Sequence, residues 1–303
     1  AWIGALAVAA RSFGLAAACG DDPAGPSGPH PPDDPSPSDP YAVLIGTGDI
    51  SDCISDCISD DDEATASILD YFEGIVFTTG DNVYPNGTAK EFAECYDPTW
   101  GRHKDRTRPT PGNHDYNTKG AVPYFEYFGE AAGEPGKGWY SYTAGEWHII
   151  ALNSNIDMGE GSEQLEWLKK ELKANDAKCT LAYWHHPLFT SSVRGRITEV
   201  VPLWEALEEA GADLILNGHD HHYERFAPQT SAGKRDNANG IRQFIVGTGG
   251  RSLRKQLVGA ANSEFRYTGS YGVLRLKLYA EHYAWEFITT GGKVIDEGIG
   301  FCR

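Results

Sequence analysis

Residues 74–84 read Gly-Ile-Val-Phe-Thr-Thr-Gly-Asp-Asn-Val-Tyr. The run Ile75–Thr79 is short, apolar and rich in β-branched side chains, which suits a buried strand, and Gly80-Asp81 stops it. The same grammar recurs along the chain. Ala42-Val43-Leu44-Ile45 is a buried strand signal closed by Gly46-Thr47-Gly48-Asp49. Residues 180–184 form a strand running into His185-His186-Pro187, and Leu214-Ile215-Leu216 ends at Asn217-Gly218-His219. Residues 147–152, WHIIAL, make a further strand. Helical patterns fall between these. Residues 63–72 read as a helix, and Ser162 can cap another on which Leu165, Leu168 and Leu172 share a face. Val200, Leu203, Trp204 and Leu207 follow the helical spacing, so 198–210 is mostly helix, with Pro202 tolerated only near its start. Later, residues 241–246, 271–278 and 283–288 are strand-like. In the second of these, Leu274, Leu276 and Leu278 share one face, with Arg275 and Lys277 on the other, the alternation of a half-buried antiparallel sheet. Helices between early strands and hairpins late make a mixed α/β pattern.

The chain has 303 residues, which a length prior of ~150 residues per domain reads as about two domains. With 40% hydrophobic and 12% aromatic residues, wholesale disorder is excluded. The net charge is −17, which argues against broad binding of a nucleic-acid backbone, because that needs clustered cations. It leaves room for a small phosphate held by metal ions. Residues 1–19 are Ala- and Leu-rich with one charge, Arg11, and resemble a secretory signal. Leu15-Ala16-Ala17-Ala18-Cys19 approximates a lipoprotein box, with Leu one position too far from the Cys. Residues 20–40 are Pro-rich and have almost nothing to bury, as expected of a tether. The body is then 41–303, and the protein is exported to the periplasm or cell surface, either lipid-anchored through Cys19 or secreted. Six cysteines fit that destination, but their pairing is not readable. Cys53 and Cys57 are read as a disulfide partner or free thiol before a metal site. The acidic run around Asp60, Asp61 and Asp62 is read as a solvated loop before a calcium loop. Gly247-Thr248-Gly249-Gly250 is read as a tight turn before a phosphate loop, since no Walker lysine follows.

The informative pattern is what stands at the strand ends. In order they carry Gly48-Asp49, Gly80-Asp81-Asn82-Val83-Tyr84, Gly112-Asn113-His114-Asp115, His185-His186-Pro187 and Gly218-His219-Asp220-His221. Ligands in α/β sheets collect outside the carboxyl ends of strands, so these loops would bring Asp, Asn, His and Tyr side chains together. In four of the five a glycine precedes the first ligand, where it would let the backbone turn sharply and approach an ion.

This ordered set resembles the calcineurin-like metallophosphoesterases. The Gly-Asp-x-x-Tyr form at 80–84 and the run His219-Asp220-His221-His222-Tyr223-Glu224-Arg225 look most like the purple acid phosphatases and their bacterial relatives. The resemblance implies a four-layer α/β/β/α sandwich of two mixed sheets with two metal ions at the strand ends. Asp49, Asp81, Tyr84 and His221 would hold the first ion, and Asp81, Asn113, His185 and His219 the second, with Asp81 bridging. A phenolate favours Fe(III) at the Tyr84 site, and the His and Asn set suits Zn, Mn or Fe(II). It implies a phosphomonoesterase in which a metal-bound hydroxide attacks phosphorus and His114 stabilises the transition state or protonates the leaving group. Where relatives carry a second substrate histidine, this chain has Arg194, which would grip the phosphate as a fixed cation without donating a proton. A small phosphate ester is the expected partner, and no obligate protein partner is evident. A phosphodiesterase on the same site, or a surface-anchored binding lipoprotein with a non-catalytic metal site, are the competing readings. Specificity would reside in loops such as 116–145 and 229–270. His186 is left either near substrate or packed outward. Asp115 either orients an imidazole or caps the following segment. His103, His148, His222 and His282 are read as structural.

Overall fold

The computed structural model describes residues 39–53 and 60–303. The signal-like segment with Cys19, most of the Pro-rich tether, and Cys57 with most of the repeated Ser-Asp-Cys-Ile lie outside the described residues. In chain order the strands are β1 (Ala42–Thr47), β2 (Ser51–Asp52), β3 (Ile75–Thr79), β4 (Val83–Tyr84), β5 (Thr107–Thr110), β6 (Tyr140–Ala144), β7 (Trp147–Ala151) and β8 (Cys179–Tyr183). They continue as β9 (Leu214–Asn217), β10 (Tyr223–Phe226), β11 (Arg242–Val246), β12 (Ser263–Tyr267), β13 (Gly272–Leu278), β14 (His282–Thr289) and β15 (Val294–Phe301). The α-helices are α1 (Asp61–Leu69), α2 (Ala89–Glu91), α3 (Val122–Phe128), α4 (Glu163–Ala174) and α5 (Val201–Glu209).

Two large sheets are formed. One has the order β15-β14-β13-β1-β3-β5, the other β12-β10-β11-β9-β8-β7-β6, and β2 pairs with β4 separately. Both large sheets are mixed. β1, β3 and β5 run parallel, as do β7, β8, β9 and β11, while the late hairpins are antiparallel. The period-2 alternation of each strand decides the layers. Leu44, Phe77, Leu274 and Leu276 from the first sheet meet Ile149, Leu181, Leu214, Leu216 and Phe244 from the second in a buried core. The neighbours Ile150, Ala182, Ile215 and Ile245 face outward under α4 and α5, against Leu165, Leu168, Leu203, Trp204 and Leu207. Ile45, Val76, Val273 and Ile288 likewise lie under α1 and α3, against Ala66, Leu69, Tyr124 and Phe128. The result is the expected α/β/β/α sandwich.

The expected helices are present with small boundary shifts. Ser162 caps α4 by accepting from Leu165 N–H, and Pro202 sits in the first turn of α5, where its missing N–H costs nothing. The face of β13 expected to be open is covered: Arg275 and Lys277 both reach Glu286, and Lys277 is only 8% exposed. Among the described residues two disulfides form, Cys53–Cys95 and Cys179–Cys302. The second ties the start of β8 to the end of the chain, 123 residues away. No helix among the described residues is long and apolar enough to cross a membrane.

Closing so long a loop restricts the unfolded chain, which predicts that Cys179→Ala/Cys302→Ala loses about 2–5 kcal/mol of unfolding free energy. Denaturant titration under oxidising conditions tests this, and an unchanged midpoint would refute it.

Candidate metal centre

The five motif loops meet at the carboxyl ends of the central strands, one cluster drawn from both sheets. Their backbones are bonded to one another. Asp49 N–H donates to Gly80 O at 3.0 Å, Ile50 N–H to Asp81 O at 3.0 Å, and Gly218 N–H to His185 O at 3.0 Å. Such contacts leave no room for side chains at the glycines. A Cβ at Gly112 would lie 2.1 Å from Asp81 Oδ1, and one at Gly218 would lie 2.8 Å from Asp49 Oδ2. The sequence pattern assigns the turns to the glycines, and Gly80, with φ 86°, does make one. At two of the other three glycine loops the left-handed backbone belongs to the candidate ligand itself, Asp49 with φ 59° and His219 with φ 68°, and Asp81 follows Gly80 at φ 51°. Asp and His are among the few residues that tolerate this region. The glycines chiefly permit close approach, and Asp49, Asp81 and His219 carry left-handed backbone of their own. Gly247–Gly250 bends against the first loop, with Gly249 N–H donating to Gly48 O at 2.9 Å.

The side chains form two groups that share Asp81. In the first, Tyr84 Oη donates to Asp49 Oδ1 at 2.7 Å and to Asp81 Oδ2 at 2.9 Å, and His221 Nε2 is 3.3 Å from Asp49 Oδ1. In the second, His185 Nε2 is 3.3 Å from Asp81 Oδ2 and 3.1 Å from Asn113 Oδ1, and His219 Nδ1 is 2.9 Å from Asn113 Oδ1. Asp49, Asp81 and His185 bring ligand atoms within 4.8 Å of one another, as do His185, His186 and His219.

Backbone carbonyls aim the imidazoles. His185 Nδ1–H donates to Thr79 O, and His221 Nδ1–H to Ser252 O, each at 2.8 Å, so each ring turns Nε2 inward. This is how imidazoles are held for metal binding. His219 is reversed, with Nδ1 inward and Nε2 accepting from Arg194 Nη1 at 2.7 Å. His114 donates Nδ1–H to Pro85 O at 2.8 Å, leaving Nε2 4.0 Å from Asp81 Oδ2 at a half-buried position.

The cluster crowds buried carboxylates, a phenol and imidazoles together, and their titration is coupled through burial and charge. Burial opposes the charged forms of both Asp81 and His185, yet their attraction wins. Asp81 is held well below the usual carboxylate range, while His185 rises to about 9. Burial and the neighbouring charge of His185 push His186 down to about 3 and hold His219 low. Burial and the charges of Asp49 and Asp81 raise the Tyr84 phenol. Metal ions reverse this balance, because they stabilise the deprotonated phenol and imidazoles that carboxylates alone disfavour. The donor set therefore fits a metal pair.

Two ambiguous residues are now placed. His186 lines the site, its ring 4.6 Å from that of His219 and its Nδ1 2.8 Å from Ser154 Oγ. Asp115 touches no imidazole. Its Oδ2 accepts from Gly112 N–H, Asn82 N–H and Asn82 Nδ2, knitting the loops that carry Asp81 and Asn113. Burial, then Asp81, raises it to about 7. Arg251, not singled out in the sequence, lies 5.0 Å from the centre of the Tyr84 ring and pairs with Asp52. His103, His148 and His222 pair with Asp70, Glu171 and Glu224, and His282 stacks on Tyr279.

A family model described as calcineurin-like phosphoesterase matches residues 33–223, more than half of the chain. The chain belongs to that family. This calcineurin-like phosphoesterase is 32% identical to purple acid phosphatase 15 of Arabidopsis thaliana over 183 residues, 48% of this chain and 33% of that protein. It thus spans about a third of the length of that relative. Purple acid phosphatase PPD1 from yellow lupin superposes with a TM-score of 0.69 at 20% identity, covering 86% of this chain and 54% of that one. GAP50, described as the anchor in the inner membrane complex of Plasmodium, superposes with a TM-score of 0.67 at 14% identity, covering 87% and 89%. At these identities the two structures establish a shared fold.

The glycine geometry makes an ordered prediction. Gly112→Ala collides with the Asp81 backbone N at 2.2 Å, whereas Gly48→Ala first meets the Thr79 hydroxyl, at 2.4 Å. Gly112→Ala should cost ~1–3 kcal/mol of stability, and Gly48→Ala less. Thermal melts in which Gly48→Ala is the worse of the two would contradict this.

Proposed function

We propose that the chain hydrolyses small phosphate monoesters at a two-metal centre of purple-acid-phosphatase type. The observation that supports this best is Asp81, whose Oδ2 meets Tyr84 Oη at 2.9 Å and His185 Nε2 at 3.3 Å, so that one carboxylate touches both groups of side chains. Asp49, Asp81, Tyr84 and His221 would hold Fe(III), and Asp81, Asn113, His185 and His219 would hold Zn, Mn or Fe(II). When bound, the two cations neutralise phosphoryl oxygens and acidify a water near neutral pH.

The chain's own residues do the rest. His114 is fixed through Nδ1 and offers Nε2 beside Asp81, where it can pass a proton to the leaving oxygen. Arg194 holds a permanent cation at the mouth of the site and grips the phosphate. The overall step adds water to phosphorus and breaks the ester P–O bond, releasing an alcohol and phosphate. In this reading 41–303 is the catalytic body, and export into an oxidising compartment agrees with the two disulfides.

Purified full-length chain should carry two equivalents of metal and turn over p-nitrophenyl phosphate faster than bis-p-nitrophenyl phosphate. Metal without turnover of either ester would favour a binding protein, and faster diester turnover a phosphodiesterase. Asn113→Ala and His219→Ala should each lower kcat/KM by at least ~100-fold with the far-UV dichroism retained, since lost outer contacts alone cost 10–100-fold. Full activity in either would undo the ligand assignment. Tyr84→Phe should abolish visible absorbance, and a retained band would exclude a tyrosinate–iron chromophore. Because Arg194 cannot donate a proton, Arg194→His should narrow the preference for p-nitrophenyl over alkyl esters, and an unchanged ratio would argue against that account.

A further inference from the structure

Behind the candidate centre lies a buried carboxylate that the chemistry above does not use. Glu224 stands on β10, three residues beyond His221, and is fully buried. Four donors converge on it. Ser191 N–H and His222 Nε2 meet Oε2 at 2.9 Å each, and the hydroxyls of Ser191 and Ser263 meet Oε1 at 2.5 Å each. Burial disfavours the charge, but His222, Ser191 and Ser263 outweigh it and hold this carboxyl below its usual range. Arg266, directly across from Glu224 on β12, adds a bond from Nη1 to Ser191 Oγ at 3.3 Å.

Ser191 is thus fastened through its N–H and its hydroxyl, and Val258 N–H also donates to its carbonyl at 2.8 Å. Three residues on, Arg194 N–H donates to Ser192 Oγ at 3.3 Å, and Gly195 N–H closes a turn on Ser192 O at 3.1 Å. From this fastened turn the Arg194 side chain reaches inward to His219. A buried ion of this kind seldom improves on apolar packing for stability, and its best-attested use is to select one geometry. The geometry selected here is that of the loop carrying Arg194.

We propose that Glu224 is a positioning residue for phosphate binding: by fastening Ser191 it holds the 190–195 loop so that Arg194 projects over the metal centre. This rests on the reading of Arg194 as the phosphate-gripping cation. Glu224 itself touches none of the proposed ligands and no reacting atom.

The test compares full-length wild type with Arg194→Ala, Glu224→Gln and the double variant. The readouts are KM and kcat for p-nitrophenyl phosphate, the inhibition constant of inorganic phosphate, and metal content. Glu224→Gln keeps the shape of the side chain but removes its charge and puts an NH2 donor in place of one of the two carboxylate oxygens that accept here. Arg194→Ala should raise KM and the phosphate inhibition constant about tenfold or more, the range for a lost charge-assisted bond. Glu224→Gln should raise both at least ~3-fold with kcat and metal content near wild type, and the double variant should be no worse than Arg194→Ala. If Arg194→Ala weakens phosphate binding and Glu224→Gln does not, or if the two defects multiply, the positioning role is overturned while the reading of Arg194 stands. If Arg194→Ala leaves phosphate binding unchanged, both fall. Should Glu224→Gln fail to fold, Ser191→Ala decides: it keeps the N–H bond, and should shift the phosphate constant in the same direction by a smaller factor. No shift would overturn the proposal.

Discussion

A carboxylate as deeply buried as Asp81 is expensive to keep ionised unless cationic or donor groups surround it. In this fold they do. His185 lies on one side, the Tyr84 hydroxyl on another, and His114 N–H donates to Oδ1 at 2.7 Å. Each partner comes from a different stretch of chain, so satisfying this one charge draws the ends of β3, β5 and β8 together. Asp49 does the same across the sheets by accepting from His219 N–H at 2.8 Å. The sandwich supplies the platform, and these two carboxylates decide how the loops close over it.

Much of this is legible in the chain. Strands that bury both faces announce themselves as apolar runs, and those runs locate most of the site loops. β5 does not, because Pro109 interrupts it. The structure shows why the proline is tolerated: β5 is an edge strand of its sheet, where a missing N–H breaks no ladder. β15 is hidden by Gly298 and Gly300, which lie under the rings of Trp285 and Tyr283 and so look like turn residues in one dimension. β10 reads as motif only, although Tyr223–Phe226 is a strand that carries Glu224 between two neighbours.

What the chain could not disclose depends on who meets whom in space. Asp115 could equally have oriented an imidazole or capped a segment, and it does neither. Its three bonds go to backbone and side-chain amides brought near by the pairing of β3 with β5. The partner of Cys53 is Cys95, which no spacing rule selects. His186 gains its place beside His219 only because two strands end side by side. Such facts live in tertiary contact and have no local signature.

The left-handed backbone at Asp49, Asp81 and His219 has a bearing on redesign. Anyone wishing to exchange side chains in this candidate centre would find that at these three sites the conformation screens replacements before their chemistry counts. Asn, Asp, His and Gly pass that screen with little strain, and β-branched or bulky side chains do not. Tyr84, Asn113, His185 and His221 are outside that restriction, so a wider range of side chains is open mainly at those four.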